Sequence, residues 1–245
     1  MSGLIVFDGF SAYDGAPIVC VLIKSKANKK TGAMVQQYII RSDLHPIDAS
    51  RTGADFSICG GCKHRGTVNP DKLSGEAVGR TCYVKLYQGP ANVFKAYTRG
   101  AYSVARTMQD VELFLRGSML RIGAYGDPSA LPSGLNDALI QYASGHTAYT
   151  HGFTVSDAMG ADAARYSMVS ADSKAEAIKA HTMGYRTFRV IPIREINEPL
   201  LHNEIMCPNT THNIQCNECK LCNGQKYNNA KSIAIVAHGI MKNKV

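Results

Sequence analysis

The sequence predicts an α/β fold, either a partial barrel or an open, mostly parallel sheet, with an N-terminal β-hairpin in front and a cysteine-rich segment behind. Three observations lead there. The first forty residues read as strands around a lysine-rich turn. From about Thr107 strand-like and helix-like segments alternate every ~20–30 residues, the rhythm of parallel strands with helical crossovers. No internal repeat or low-complexity linker interrupts the 245 residues, so one α/β domain is expected. Within it, 1–50 are the N-terminal strands, 51–200 the α/β core with a first cysteine loop, and 201–245 a cysteine-rich tail with a final strand.

The N-terminal strands are Ile18 to Ile23 and Gln37 to Ile40, both rich in β-branched residues. Ser57 to Cys82 reads as a loop broken by Gly60, Gly61, Gly66, Pro70 and Gly75. Ala91 to Tyr102 carries Val93, Phe94 and Tyr97 at helical spacing, and Val111 to Leu115 suggests a helix ending at Gly117. Met119 to Ile122 is a short buried strand, Leu135 to Tyr142 a helix, and Thr147 to Thr150 a strand. A helical stretch over Ser156 to Ala164 precedes the strand Tyr166 to Val169. Ser173 with Glu176 three residues on forms a capping box, and Gly184 closes that helix. Tyr185 to Ile191 is the next strand, which Pro192 ends or confines to an edge, and Ser232 to Ala237 is the last.

Composition narrows the classes. An apolar fraction of 45% is that of a globular protein, and no apolar run reaches the ~18 residues of a membrane span. Met1 to Asp8 has no basic lead and an acid cuts its apolar run, so no signal peptide is expected and the expected location is a cytoplasm. The net charge of +8 fits either a solvated basic surface or contact with nucleic acid. Its densest run, Lys24 to Lys30, is explained by a lysine-rich hairpin tip, without the interleaved aromatics of a single-strand stacking platform.

Eight cysteines in a reducing compartment point to metal or redox chemistry. The tail holds Cys207-Pro208 and then Cys216, Cys219 and Cys222 at three-residue steps. Such a run with a fourth, distant cysteine next to proline suits an iron–sulfur cluster of four irons and four sulfides (4Fe–4S), with a four-thiolate zinc site as the rival. The second group is Cys59 and Cys62, separated by two glycines, with Cys82 further on. Three thiolates leave one iron open to a substrate or cofactor; His64 would instead close the site. Cys20, alone in an apolar strand, reads as a core residue.

Arg121 to Pro128 runs out of a strand, and its glycines place backbone groups and Asp127 where ligands sit in α/β folds; an ordinary tight turn is the competing reading. His146 and His151 flank a strand and could face one mouth, while Lys231 and His238 border the last strand. Phe188 and Val190 should face one side of their strand, with Thr187, Arg189 and Ile191 on the other. Arg186 and Arg189 could hold a carboxylate or phosphate, although solvated arginines are commoner.

The combination of Ser57 to Cys62, Arg80 to Val84, the Gly123-to-Pro128 turn and the tail from Cys207 to Cys222 resembles a family of uncharacterised phage and mobile-element cysteine-rich proteins. That likeness implies a host cytoplasm as the location. More distantly, the layout is similar to radical S-adenosylmethionine (radical SAM) enzymes. The likeness implies a partial α/β barrel, a cluster on Cys59, Cys62 and Cys82, a cofactor-binding turn at Tyr125, Gly126 and Asp127, and an auxiliary cluster on Cys207, Cys216, Cys219 and Cys222. The usual loop packs its three cysteines within eight residues, whereas here Cys82 lies twenty beyond Cys62. The function expected is thus an iron–sulfur protein, a radical-SAM-like enzyme of unknown substrate; the alternative is a non-enzymatic zinc or iron–sulfur module that binds nucleic acid or a host protein.

Overall fold

The computed structural model describes residues 3–24, 30–68, 71–224, 230–238 and 242–244. Eleven strands among the described residues are β1 (Gly3–Phe10), β2 (Pro17–Lys24), β3 (Met34–Arg41), β4 (Ser103–Val104), β5 (Met119–Tyr125), β6 (Gly145–Thr147), β7 (Tyr149–Thr150), β8 (Met168–Ala171), β9 (Thr187–Ile191), β10 (Glu204–Met206) and β11 (Ser232–Val236). The helices are α1 (Pro46–Thr52), α2 (Phe56–Cys59), α3 (Gly89–Thr98), α4 (Met108–Leu115), α5 (Leu135–Ile140), α6 (Asp157–Ala164), α7 (Lys174–Thr182), α8 (Pro208–His212) and α9 (Cys216–Cys219).

The strands form two sheets. The first is mixed, in the order β4-β1-β2-β3-β5-β6, and the second runs β10-β11-β9-β8-β7. β1, β2 and β3 pair antiparallel, as the N-terminal hairpin predicts. The tip at 25–29 lies outside the described residues. From β3 onward every pairing is parallel: β3 with β5, β5 with β6, and all pairs of the second sheet. β6 and β7 belong to different sheets but are separated only by Ala148, whose N–H donates to the Cys222 carbonyl and whose carbonyl accepts from Met168. One extended segment therefore passes from the first sheet into the second.

β2 is buried on both faces, which is why it reads as an unbroken apolar run. Leu4, Leu22, Leu120 and Ile122 pack under α4 and α5 in one core, and Ile5, Val19, Val21 and Ile39 under α2 and α3 in another. Cys20 is fully buried, as expected of a core thiol. Helix starts follow side-chain capping: Thr107 and Asp110 make a reciprocal box for α4, and Ser156 and Ser173 cap α6 and α7. The Glu176 carboxylate accepts from the Asp172 N–H, one residue before its expected partner. β9 ends at Pro192 but lies inside its sheet, between β11 and β8. No helix among the described residues is long and apolar enough to cross a membrane.

Candidate functional site

A cavity of about 430 Å³ opens where residues of both sheets meet the C-terminal ends of β5, β7, β8 and β11. Strand alternation aims its walls. On β5, Leu120 and Ile122 enter the core, so Arg121, Gly123 and Tyr125 face the cavity; on β9, Phe188 and Val190 face it, as their alternation predicts.

Cys59, Cys62 and Cys82 all line this cavity. Cys59 closes α2, and Gly60 turns the chain with φ +56, where a side chain would also press on Val155 at 2.7 Å. The twenty-residue gap to Cys82 is closed at its base. The His64 carbonyl accepts from the Thr81 and Cys82 N–H groups, at 3.2 and 3.0 Å, and Thr67 and Val78 pair as an antiparallel bridge. The His64 ring bonds Thr81 Oγ1 at 2.7 Å and Asp172 Oδ1 at 3.0 Å. His64 is thus the clasp of the loop, with both ring nitrogens engaged.

The thiols are electrostatically coupled. Burial pushes the Cys59 thiol well above its ordinary pKa, and the negative charges of Asp55, Cys62 and Cys82 push further. Burial also raises Cys82, against the opposing pull of Arg80. Burial would lower His151, but its interactions with Cys62 and Asp172 outweigh it and hold the imidazole well above its usual value. Asp172 is the counterpart: burial favours its neutral form, yet His151 and His64 hold it far below the usual carboxylate range. The Tyr125 hydroxyl lies in the same wall, 4% exposed as a residue and with no hydrogen-bond partner among the described residues.

Gly126 and Asp127 also border the cavity. Gly126, at φ +84, lets the turn pass against Ile39, whose carbonyl a Cβ would meet at 2.8 Å. The Asp127 carboxylate is occupied within the fold: Oδ1 accepts from Ser129 N and Oγ and from Thr150 Oγ1, and Oδ2 from His151 N at 2.5 Å. Asp127 therefore locks the turn to β7, and backbone groups and Tyr125 are what the turn presents to the cavity.

The tail group forms a second constellation. Cys207, Cys216, Cys219 and Cys222 line a small adjoining cavity of about 40 Å³, and Cys216 also reaches the large one. Cys207 and Cys222 are buried among Met168, Ile233 and Ile235. Burial raises Cys222 to about 12, with Cys207, Cys216 and Cys219 adding to the rise and the Tyr149 hydroxyl bond opposing it. Asn213 and Lys220 adopt left-handed backbone conformations, φ 55 and 57, on either side of α9, and Cys216 N donates to the Lys30 carbonyl. All eight cysteines are free thiols. Among the described residues, no group of three or more His, Cys, Asp or Glu side chains stands where it could hold a metal ion.

The remaining candidates divide. His151 and His238 reach the cavity, whereas His146 is buried and bonds the Tyr166 carbonyl. Lys231 bonds the His202 carbonyl. Arg186 clamps the carbonyls of Leu221, Gly224 and Lys231, and Arg189 is fully buried against Glu204, so neither is solvated. Asp172 was not singled out by the sequence, although it follows a parallel strand as Asp127 does, and that same rule points to it. No protein-family model matches the chain, no curated protein matches it, and no solved structure matches its fold.

Proposed function

We propose that the chain is an iron–sulfur protein whose large cavity is the reaction chamber of a radical-SAM-like enzyme. Cys59, Cys62 and Cys82 would hold one cluster and Cys207, Cys216, Cys219 and Cys222 the other. The observation that carries the reading is the joining of Cys82 to the Cys59–Cys62 loop through His64, on the wall of an open cavity at the C-terminal ends of parallel strands. The sulfur donors are of the kind an iron–sulfur cluster takes, although the side chains as they stand are not gathered around a metal position among the described residues. Burial disfavours ionisation of these thiols, and a multivalent cationic centre would reverse that balance by displacing their protons.

A cluster on three thiolates supplies one open iron and an electron for whatever binds there. This chain's own residues would do the rest. The turn at Tyr125 and Gly126 offers backbone groups and an unbonded hydroxyl to the polar end of S-adenosylmethionine. Asp172 keeps His151 charged beside Cys62, which sets a positive charge against the thiolates. The tail thiols, closed in by Ile233 and Ile235, would pin α8 and α9 to β11.

The test is anaerobic purification with iron, sulfide and zinc measured together. The expected result is brown protein with matching iron and sulfide, and loss of roughly half of both when Cys59, Cys62 and Cys82 become serine. Reduction in the presence of S-adenosylmethionine should then release 5′-deoxyadenosine. Colourless protein carrying zinc overturns the cluster assignment, and brown protein without cleavage overturns the enzyme assignment.

A further inference from the structure

We propose that the large cavity takes a small organic anion, and that Arg121, with Lys30 and the Tyr83 hydroxyl, seats its phosphate or carboxylate group. This names the chemistry of what the cavity takes and rests on the reading above only in treating the cavity as a reaction chamber.

The charges of the cavity wall are unevenly satisfied. Near Cys59, Cys62 and Cys82 each guanidinium has its acid: Arg65 bonds Asp55 at 2.5 Å and Arg80 bonds Glu76 at 3.2 Å. Arg121 is different. Its Nη2 donates to the Tyr83 hydroxyl at 2.6 Å, and no carboxylate among the described residues forms an ion pair with it. The groups that act on it are the Tyr83, Tyr149 and Tyr38 phenols and the Cys216 thiol. Lys30 Nζ and His238 Nε2 lie 2.5 Å apart in the same wall. An arginine that faces a cavity walled by aromatic rings, with no acid partner among the described residues, is unfavourable until an anion enters.

The same wall offers a seat for an apolar body. Tyr149 and Phe188 pack with ring centroids 4.4 Å apart, and Val190 and Ile235 continue the surface. A cavity of about 430 Å³ suits a molecule with one anionic head and a compact, flat body. Guanidinium with a lysine and a phenol recognises phosphate and carboxylate alike.

Calorimetric titration of the full chain with phenyl phosphate, benzoate and benzyl alcohol tests this, with iron and sulfide assayed on the same preparations. At least one anion should bind, and whether phosphate or carboxylate is preferred identifies the head group. Benzyl alcohol should bind at least tenfold more weakly. Arg121→Gln should weaken the preferred anion about tenfold to a hundredfold. Arg121→Lys should keep part of the affinity, and Arg165→Gln, on the surface, all of it. If Arg121→Gln does not fold, Arg121→Lys and competition by pyrophosphate on the unaltered chain decide the matter. No binding of either anion, equal binding of benzyl alcohol, or affinity untouched at Arg121 overturns the inference. Clusters retained without anion binding sink this inference alone; anion binding without iron sinks the cluster reading alone.

Discussion

Arg189 and Glu204 show how much a single pair carries in the second sheet. Their side chains are 1% and 0% exposed, and two bonds of 2.8 and 2.7 Å join them across β11, over the small side chain of Ala234. Glu204→Ala would strand a buried guanidinium and is expected to cost about 3–5 kcal/mol at neutral pH, read from urea unfolding. Burial alone would raise the Glu204 carboxyl, but Arg189 and the Leu201 N–H hold it below its ordinary value. A depressed acid stabilises the fold above its unfolded pKa of ~4.3 and loses that contribution as pH falls through its folded value. The gap between the parent chain and Glu204→Ala should therefore narrow below pH ~4; a gap that stays constant would show that the pair contributes nothing through charge. None of this was legible in the sequence. Arg189 could be assigned to the face opposite Phe188 from alternation, but nothing local names a partner fifteen residues on.

Short segments decide the site at the scale of elements. The turn between β5 and the residues that lead to α5 works because Gly126 slides against the β3 backbone and Asp127 gathers donors from β7. Gly126→Ala meets two penalties together: a left-handed backbone and a Cβ 2.8 Å from the Ile39 carbonyl. A loss of about 2–4 kcal/mol is expected, with the near-ultraviolet circular dichroism of Tyr125 altered. A loss under ~1 kcal/mol would mean that β3 yields and the turn is not fixed. Elements with strong local signals were readable, such as α6 and α7 from Ser156 and Ser173, or β9 from its β-branched run before Pro192. β10 was not, because three residues with one buried glutamate carry no periodicity; its identity comes only from pairing with β11.

Across the whole molecule, the two thiol groups sit in regions of different construction. The β1–β3 meander lies within a large apolar core, whereas the tail packs on a smaller one with a backbone bond to Lys30, and the cysteine loop is closed by backbone bonds to His64. Removal of metal by an anaerobic chelator is therefore expected to raise hydrogen exchange in 57–82 and 207–222 while β1 to β3 keep their protection. Uniform loss of protection would show the centres to be part of the global fold, and no change would speak against metal at either group. The sequence by itself determined the α/β class, the N-terminal hairpin, most strands and helices, and the two sets of cysteines, because periodicity, capping and spacing are local. Only the tertiary structure decided that the His64 carbonyl closes the twenty-residue loop onto Cys82, that Asp127 is spent on its own turn, and that Arg121 faces a cavity with no acid partner among the described residues. Those outcomes depend on which strands become neighbours and which faces meet, and that is settled by the burial of the whole chain rather than by any segment of it.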